Sequence, residues 1–291
     1  AMSLTGTQTA SIVAGGYTTT NVANVETWNG SNWSETTDVN TGRRGGAGSG
    51  DSSASILIGG VNPTPSKGFT ELWNGSNWTE VNDLNTARGN AAGSNAGTST
   101  AALLAAGANG SNLANTESWN GTNWTEVNDL NTGRSDLGGA GTYTAMLVFG
   151  GSVSPKGQTE EWNGTNWTET ADLSTARETA GGAGGSALAL AFGGYTTTSL
   201  ANTEEFTGAG QALGAWSTGG SLNTARGAFS GASNGTPSAT IGFGGETTVA
   251  VTNTESYNGT SWTEVNDLNV AKQLLGGAGT QTSALAFAGI E

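Results

Sequence analysis

The chain repeats one pattern at a nearly fixed spacing along its 291 residues. In each period an apolar run ends in a small-residue pair, usually Gly-Gly, as in SIVAGG, SILIGG and MLVFGG. Successive pairs are 43 to 51 residues apart, and a partial period at 273–291 follows six complete ones. Self-similarity of this length is typical of repeat architectures, in which each unit packs on its neighbours. We therefore expect a single domain over residues 1–291.

Each period contains four short segments with the composition of β-strands. A stretch rich in small residues comes first, and the apolar run before the glycine pair comes second. The third and fourth segments, such as NTESW and NWTEV, flank an Asn-Gly pair, which is a strong signal of a β-hairpin. Four strands that recur every ~40–50 residues predict the blades of an all-β propeller.

The number of blades depends on how the two ends of the chain combine. LTGTQTASIVAGG near the start resembles GAGTQTSALAFAG near the end, so the last residues begin a seventh period. Six complete blades leave two strands over, whereas seven blades leave one half built. We expect six blades whose terminal strands overlap or swap at the closure, with seven as the alternative.

The repeat resembles the kelch motif, which builds β-propellers. The shared features are an apolar strand that ends in Gly-Gly, an aromatic residue about twelve positions later, a Trp and then an Arg. Two features depart from it, because Trp-Asn-Gly replaces the usual Tyr-Asp and Ala106-Gly107 replaces one glycine pair. The phrase WNGTNWTEVNDLNTGR at 119–134 also resembles repeat arrays in structural proteins of marine phages and bacteria. That second resemblance implies display on a virion or a bacterial surface.

Composition limits the functions that are open to this chain. Nine Lys and Arg stand against 23 Asp and Glu, a net charge of −14, whereas nucleic-acid binding requires a basic surface. The absence of His and Cys excludes disulfides, His-based catalysis and nearly every zinc, copper or haem site. No apolar run approaches the ~20 residues that span a bilayer. We therefore expect no cofactor, no metal, no nucleic-acid partner and no membrane insertion.

Aromatic residues recur on the third and fourth segments, and all ten Trp lie there, including the pairs Trp28/Trp33 and Trp119/Trp124. A two-residue turn pairs Trp28 with Ser31, whereas a four-residue turn pairs it with Trp33. Both registers place the two Trp of a repeat, and the Glu two residues before the first, on one face. Because every repeat has this placement, we interpret the aromatic residues as packing between blades. The alternative is an array of stacking platforms for sugars.

A glutamate and a basic residue also recur in all six periods. They are 17 residues apart in five of these periods and 22 apart in the period of Glu204 and Arg226. A buried carboxylate is costly unless a cation reaches it, so we predict structural ion pairs within or between blades, for example of Glu117 with Arg134. The positions in chain order are Glu26 and Arg43, Glu71 and Arg88, Glu117 and Arg134, Glu160 and Arg177, Glu204 and Arg226, and Glu255 and Lys272.

An aspartate lies five residues before the basic residue in five periods, inside segments such as NDLNT. Asp, Asn and Thr in such segments commonly cap turns with their side chains, which is the role we predict. Calcium ligation is the alternative, although the D-x-[DN]-x-[DN]-G pattern is missing from the sequence. The residues are Asp38, Asp83, Asp129, Asp172 and Asp267.

The loops between the second and third segments differ in every period, and they share a face with the NDLNT turns because strand direction alternates. Variable loops on a rigid scaffold commonly carry recognition. We therefore expect a non-enzymatic binding module that contacts a glycan or a protein. The candidate ligand-binding residues are Tyr17, Lys67, Phe69, Asn109, Lys156, Tyr195 and Glu246.

Two other functions fit the same sequence. One is a purely structural scaffold, and the other is a carbohydrate-active enzyme with carboxylates at the mouth of the central channel. The adjacent pair Glu160-Glu161 cannot act on one bond, because neighbours in a strand point to opposite faces. No catalytic constellation is recognisable, so we expect that the protein is not an enzyme.

Overall fold

A computed structural model describes residues 3–7, 9–61, 65–94, 96–153, 157–208, 214–232, 236–273, 275–287 and 289. The described residues form 26 β-strands, and neighbouring strands within each sheet pair antiparallel. Six sheets have four strands each, and a seventh has two strands in the described part of the chain. The innermost strands of all seven sheets lie side by side around a central channel. The described fold is therefore a β-propeller with seven blades.

The strands follow the same order in every blade, from the channel outward. The innermost strands are β1 (Ser3–Thr7), β5 (Ala47–Gly50), β9 (Ala92–Gly93), β13 (Gly138–Thr142), β17 (Gly181–Gly185), β21 (Ser230–Gly231) and β25 (Gly276–Thr280). The second strands are β2 (Ala10–Ala14), β6 (Ser55–Ile58), β10 (Ala102–Ala105), β14 (Ala145–Phe149), β18 (Leu188–Phe192), β22 (Thr240–Phe243) and β26 (Ser283–Phe287). The third strands are β3 (Val25–Trp28), β7 (Thr70–Trp73), β11 (Thr116–Trp119), β15 (Thr159–Trp162), β19 (Thr203–Thr207) and β23 (Thr254–Tyr257). The fourth strands are β4 (Trp33–Glu35), β8 (Trp78–Glu80), β12 (Trp124–Val127), β16 (Trp167–Glu169), β20 (Ala215–Thr218) and β24 (Trp262–Glu264).

The expected count of six blades is wrong. Strands β1 and β25 are neighbours in the ring, and each pairs with its own second strand, β1 with β2 and β25 with β26. The terminal strands therefore add a blade instead of overlapping. Glycine allows this crowding, because a Cβ on Gly277 would lie 2.4 Å from the carbonyl oxygen of Gly231 in the preceding blade.

The Asn-Gly loops contain four residues, which decides between the two registers left open by the sequence. Trp119 pairs directly with Trp124, and their ring centroids are 5.4 Å apart. Within this loop the Asn120 side-chain oxygen accepts a hydrogen bond from Asn123 N at 2.9 Å. Gly121 adopts a φ of 93°, a value that residues with a side chain rarely adopt.

The hydrophobic core consists of separate clusters between adjacent blades. In the cluster between blades 2 and 3, Trp119 and Trp124 pack against Ile56 and Leu84. Trp124 Nε1 also donates a hydrogen bond of 2.9 Å to Thr70 Oγ1 of the preceding blade. These indoles are buried between blades, so their faces are not available to stack on a sugar.

Candidate binding face and channel mouth

One face of the propeller carries two kinds of connection. Loops join the second strand of a blade to its third, and linkers join the fourth strand to the next blade. Isolated bridges pair a linker with a loop, for example Arg44 with Val61 and Gly89 with Ala108. The two kinds of connection therefore share this face, which we call the loop face.

Neighbouring loops of the loop face are joined across blades by hydrogen bonds. Asn21 Nδ2 of blade 1 donates to Val61 O of blade 2 at 2.9 Å, and Ser66 Oγ of blade 2 donates to Ala108 O of blade 3 at 3.0 Å. Tyr17 also forms a bridge with Asn21 within its own loop. A ligand would therefore meet a largely preformed surface, which reduces the entropy lost on binding.

Buried ion pairs fix the linkers beneath this face. Arg88 Nη1 donates to Glu117 Oε1, and both side chains are 0% exposed. The other carboxylate oxygen accepts from N and Nδ2 of Asn85, each at 2.8 Å. The five pairs among the described residues are Arg43–Glu71, Arg88–Glu117, Arg134–Glu160, Arg177–Glu204 and Arg226–Glu255.

The prediction that Glu117 pairs with Arg134 is wrong. Arg134 binds Glu160 of the next blade at 2.7 Å, and Glu117 is bound by Arg88 from the preceding linker. The arginine follows the fourth strand of one blade, and its side chain enters the next blade beside the glycine pair. Arg43 Nε, for instance, donates to Gly59 O at 2.9 Å. Each pair therefore joins a linker to the blade that the linker enters.

Four of the five predicted turn aspartates accept a hydrogen bond from the backbone of a third strand. Asp129 Oδ1 accepts a hydrogen bond of 3.1 Å from the N–H of Thr116, the first residue of β11. Equivalent bonds are made by Asp83, Asp172 and Asp267. Within the described ranges, no three acidic residues lie close enough together to hold a metal ion.

Two of the predicted ligand-binding residues are exposed tyrosines at equivalent loop positions. Tyr17 of blade 1 is 38% exposed and Tyr195 of blade 5 is 39% exposed. The guanidinium of Arg44 lies 4.4 Å from the centre of the Tyr17 ring, which is cation–π geometry. In blade 2 the Lys67 ammonium lies 6.0 Å from the centre of the Phe69 ring. Aromatic and cationic side chains thus lie together at two places on the loop face.

The remaining predicted ligand-binding residues are spread over other blades. Asn109 is exposed in the blade 3 loop. Glu246 is half-buried, and its backbone pairs with Gly227 of the adjoining linker. Lys156 lies outside the described residues. The candidates therefore share the loop face without forming one compact cluster.

The sequence analysis did not predict a ring of residues with left-handed backbone conformation at the channel mouth. The residue two positions after the linker arginine has a positive φ in five linkers: Gly45 (64°), Asn90 (53°), Asp136 (56°), Thr179 (52°) and Ala228 (49°). Asn90 N donates to Gly45 O at 2.8 Å, and Asp136 N donates to Asn90 O at 3.1 Å. This ring lines a cavity of about 260 Å³. Gly, Asn and Asp favour the left-handed conformation. Their recurrence two residues after the linker arginine was the sequence signal that could have predicted this ring.

Asp136 places a carboxylate in this ring. Partial burial raises the pKa of Asp136, a hydrogen bond from Ser135 Oγ to Oδ2 (2.8 Å) lowers it, and the negative charge of Glu178 raises it again. The net effect is a pKa above the ordinary value for Asp. Asp136 therefore holds a proton at a higher pH than an exposed aspartate does.

We expect Asp136→Asn to raise the melting temperature at pH 7 by about 1–3 °C. A raised folded-state pKa means that ionisation is less favourable in the folded protein, so stability is lost as pH rises through that pKa. The substitution removes this loss, and its advantage should shrink as pH falls toward 4. Asn suits the position, since Asn90 has a similar φ in blade 3. Melting curves from pH 4 to 8 test this, with Asn90→Asp as the reciprocal control. An unchanged or lower melting temperature at pH 7 would contradict the expectation.

The fold and its loop face define this chain as a β-propeller with preformed loops on one face. Among solved structures, that of a protein named YjhT has a TM-score of 0.70 to this chain. The match covers 91% of this chain and 97% of that one, at 11% sequence identity. At this identity the likeness shows the fold alone. No family model matches the sequence, and the comparison with curated proteins finds no relative. Kelch membership therefore stays a prediction.

Across the described ranges, no helix has the length and apolar character required to cross a bilayer.

Proposed function

We propose that this protein is a non-enzymatic binding module whose loop face recognises a glycan or a protein. The observation that supports this proposal is the exposure of Tyr17 and Tyr195 on equivalent, hydrogen-bonded loops. Tyrosine offers a large, rigid contact surface at a low entropic cost, and its hydroxyl adds hydrogen bonding. The cation of Arg44 beside Tyr17 adds a donor for a hydroxyl or carboxylate of the ligand.

Charge narrows the class of ligand. The chain carries a net charge of −14, and Glu178 adds local negative charge near the channel mouth. Such a surface repels polyanions and favours neutral or basic partners. A neutral glycan or a neutral to basic protein surface therefore suits the loop face. We further propose that the module is displayed on a virion or bacterial surface.

A glycan array and a panel of surface proteins test the proposal. The double variant Tyr17→Ala, Tyr195→Ala is expected to weaken binding at least about tenfold, because two aromatic contacts are lost. The matched control is Tyr143→Ala. Tyr143 is 42% exposed, but it lies in the turn between β13 and β14, on the opposite face. Equal loss in both variants would contradict recognition by the loop face, and a complete lack of ligands would favour a structural scaffold.

A second candidate function is carbohydrate cleavage at the channel mouth. The observation that favours it is the raised pKa of Asp136, because carboxyls that act as general acids in carbohydrate cleavage have raised pKa values. Incubation with polysaccharides should then release new reducing or unsaturated ends, and Asp136→Asn should abolish that release. Products that persist in Asp136→Asn would exclude this role for Asp136.

A further inference from the structure

Seven Asn-Gly pairs occur in the chain, and one of the six described pairs differs in its surroundings from the other five. Those five lie in the loops between third and fourth strands. The exception is Asn109-Gly110, which lies in the loop between β10 and β11, on the loop face. The seventh pair, Asn234-Gly235, lies outside the described residues. An Asn-Gly pair is chemically labile, because no Cβ on the glycine shields its backbone nitrogen from the neighbouring side-chain amide.

Hydrogen bonds hold the asparagine side chain in each of the five hairpin loops. Asn120 Oδ1 accepts from the N–H of Thr122 at 3.0 Å and from the N–H of Asn123 at 2.9 Å. Rotation of this amide toward the glycine nitrogen therefore requires that both bonds break. The same two bonds are made by Asn29, Asn74, Asn163 and Asn258.

The glycines of these five loops also lie against the turn between the first and second strands of their own blade. A Cβ on Gly121 would lie 3.4 Å from Thr100 O, and one on Gly164 would lie 3.3 Å from Thr144 O. At Gly110 a Cβ would have no atom of the described residues within 4 Å, apart from its chain neighbours. The backbone at Gly110 therefore has room to rearrange, whereas that of the hairpin loops is packed on a neighbouring turn.

Asn109 has neither of the restraints found in the hairpin loops. Its side chain is exposed and makes no hydrogen bond within the part of the chain that the structure describes. The base of its loop is nevertheless fixed, because Ala108 pairs with Asn112 on one side and with Gly89 of the adjoining linker on the other. The three residues 109–111 can therefore change conformation without disturbing the rest of blade 3.

We infer that Asn109 is a site of spontaneous deamidation, with water as the only co-reactant. Hydroxide removes the proton of the Gly110 N–H, and the nitrogen attacks Cγ of Asn109. The new N–Cγ bond closes a succinimide ring, the Cγ–Nδ2 bond breaks, and the leaving group takes a proton from water and departs as ammonia, which regenerates hydroxide. Water then adds to one of the two ring carbonyl carbons and opens the ring. The products at position 109 are aspartate and isoaspartate.

The conversion changes the chemistry of the loop face at one place. A neutral carboxamide becomes a carboxylate, in a chain whose net charge is already −14. Isoaspartate also moves one side-chain carbon into the backbone and lengthens the tip of the loop. The inference is independent of the function proposed for the loop face, because it concerns only the reactivity of this loop.

Peptide mapping by mass spectrometry tests the inference on the complete 291-residue protein. Trypsin releases residues 89–134 as one peptide, so Asn109 and its matched control Asn120 are compared within the same fragment. After incubation at mildly alkaline pH, we expect conversion at Asn109 to be at least about tenfold faster than at Asn120, because two hydrogen bonds restrain Asn120. The rate should rise with pH, because hydroxide starts the reaction. In concentrated urea the two rates should become similar, because both residues are followed by glycine and then by Ser or Thr.

A variant gives a second measurement. Asn109→Gln should remove the fast conversion and leave the rate at Asn120 unchanged, because the longer side chain closes a ring far more slowly. Equal rates at Asn109 and Asn120 in the folded protein would overturn the inference. So would a difference that persists in urea, since the neighbouring sequence and not the fold would then be its cause. Circular dichroism of the incubated protein should show an unchanged melting temperature, and a lower one would contradict the assignment of the reaction to the loop tip.

Discussion

Replacing Glu117 with alanine is expected to lower the free energy of unfolding by about 3–5 kcal/mol. The Glu117 carboxylate is fully buried and accepts hydrogen bonds from Arg88, Asn85 and Thr86. Its removal leaves the Arg88 guanidinium buried without a counter-charge, which is far less favourable than the pair. The melting temperature should fall by roughly 6–12 °C, and the urea midpoint should fall with it.

The repeat provides a matched control for this experiment. Glu26 occupies the equivalent strand position in blade 1, but its side chain is exposed. Glu26→Ala should therefore change the free energy of unfolding by no more than about 0.5 kcal/mol. Similar losses at Glu26 and Glu117 would show that the buried ion pair is not the source of the effect. Ligand binding at the loop face should survive Glu117→Ala at temperatures where the variant stays folded.

Trp124→Ala is expected to have a comparably large effect, about 3–5 kcal/mol. Trp124 is 6% exposed, packs against Trp119 between blades 2 and 3, and donates to Thr70 Oγ1. Alanine leaves a cavity there and removes the partner of a buried hydroxyl. Thermal and chemical denaturation measure the loss, and intrinsic fluorescence shows whether the other tryptophans keep their environment.

Trp33→Ala is the control for Trp124→Ala, because it removes the same side chain from the half-buried equivalent position in blade 1. We expect a loss of less than half that of Trp124→Ala, because less apolar area returns to water. The opposite ranking would contradict the assignment of Trp124 to the core. A Trp124→Ala variant that melts normally but loses sugar binding would support the stacking-platform alternative.

Much of the fold could be predicted because the same local sequence signals for strands and turns recur along the chain. The apolar run before each glycine pair forms a second strand, and the Asn-Gly pair of each hairpin lies in the loop between the third and fourth strands. Hairpin turns and strand alternation depend on residues only a few positions apart, so one sequence contains them. The recurrence of a Glu and an Arg likewise indicated buried ion pairs, which the structure contains in five linkers.

The candidate site was predicted less completely. The loops that carry Tyr17 and Tyr195 do lie on the same face as the linkers. The ring that includes Asn90 and Asp136 was missed, because its members are 43 to 49 residues apart and differ in type. These residues share a positive φ at one end of the channel, and a backbone dihedral angle cannot be read directly from amino-acid composition.

The sequence by itself determined the all-β repeat, the four strands of each period and the residues that must be paired when buried. Only the tertiary structure decided that there are seven blades and that Arg134 binds Glu160 and not Glu117. The physical reason is the difference between local and ring-wide constraints. Turn chemistry and strand alternation act over a few residues, whereas the blade count follows from how closely the glycine-rich inner strands pack around the channel. Likewise, the partner of each arginine is set by the blade that its linker enters.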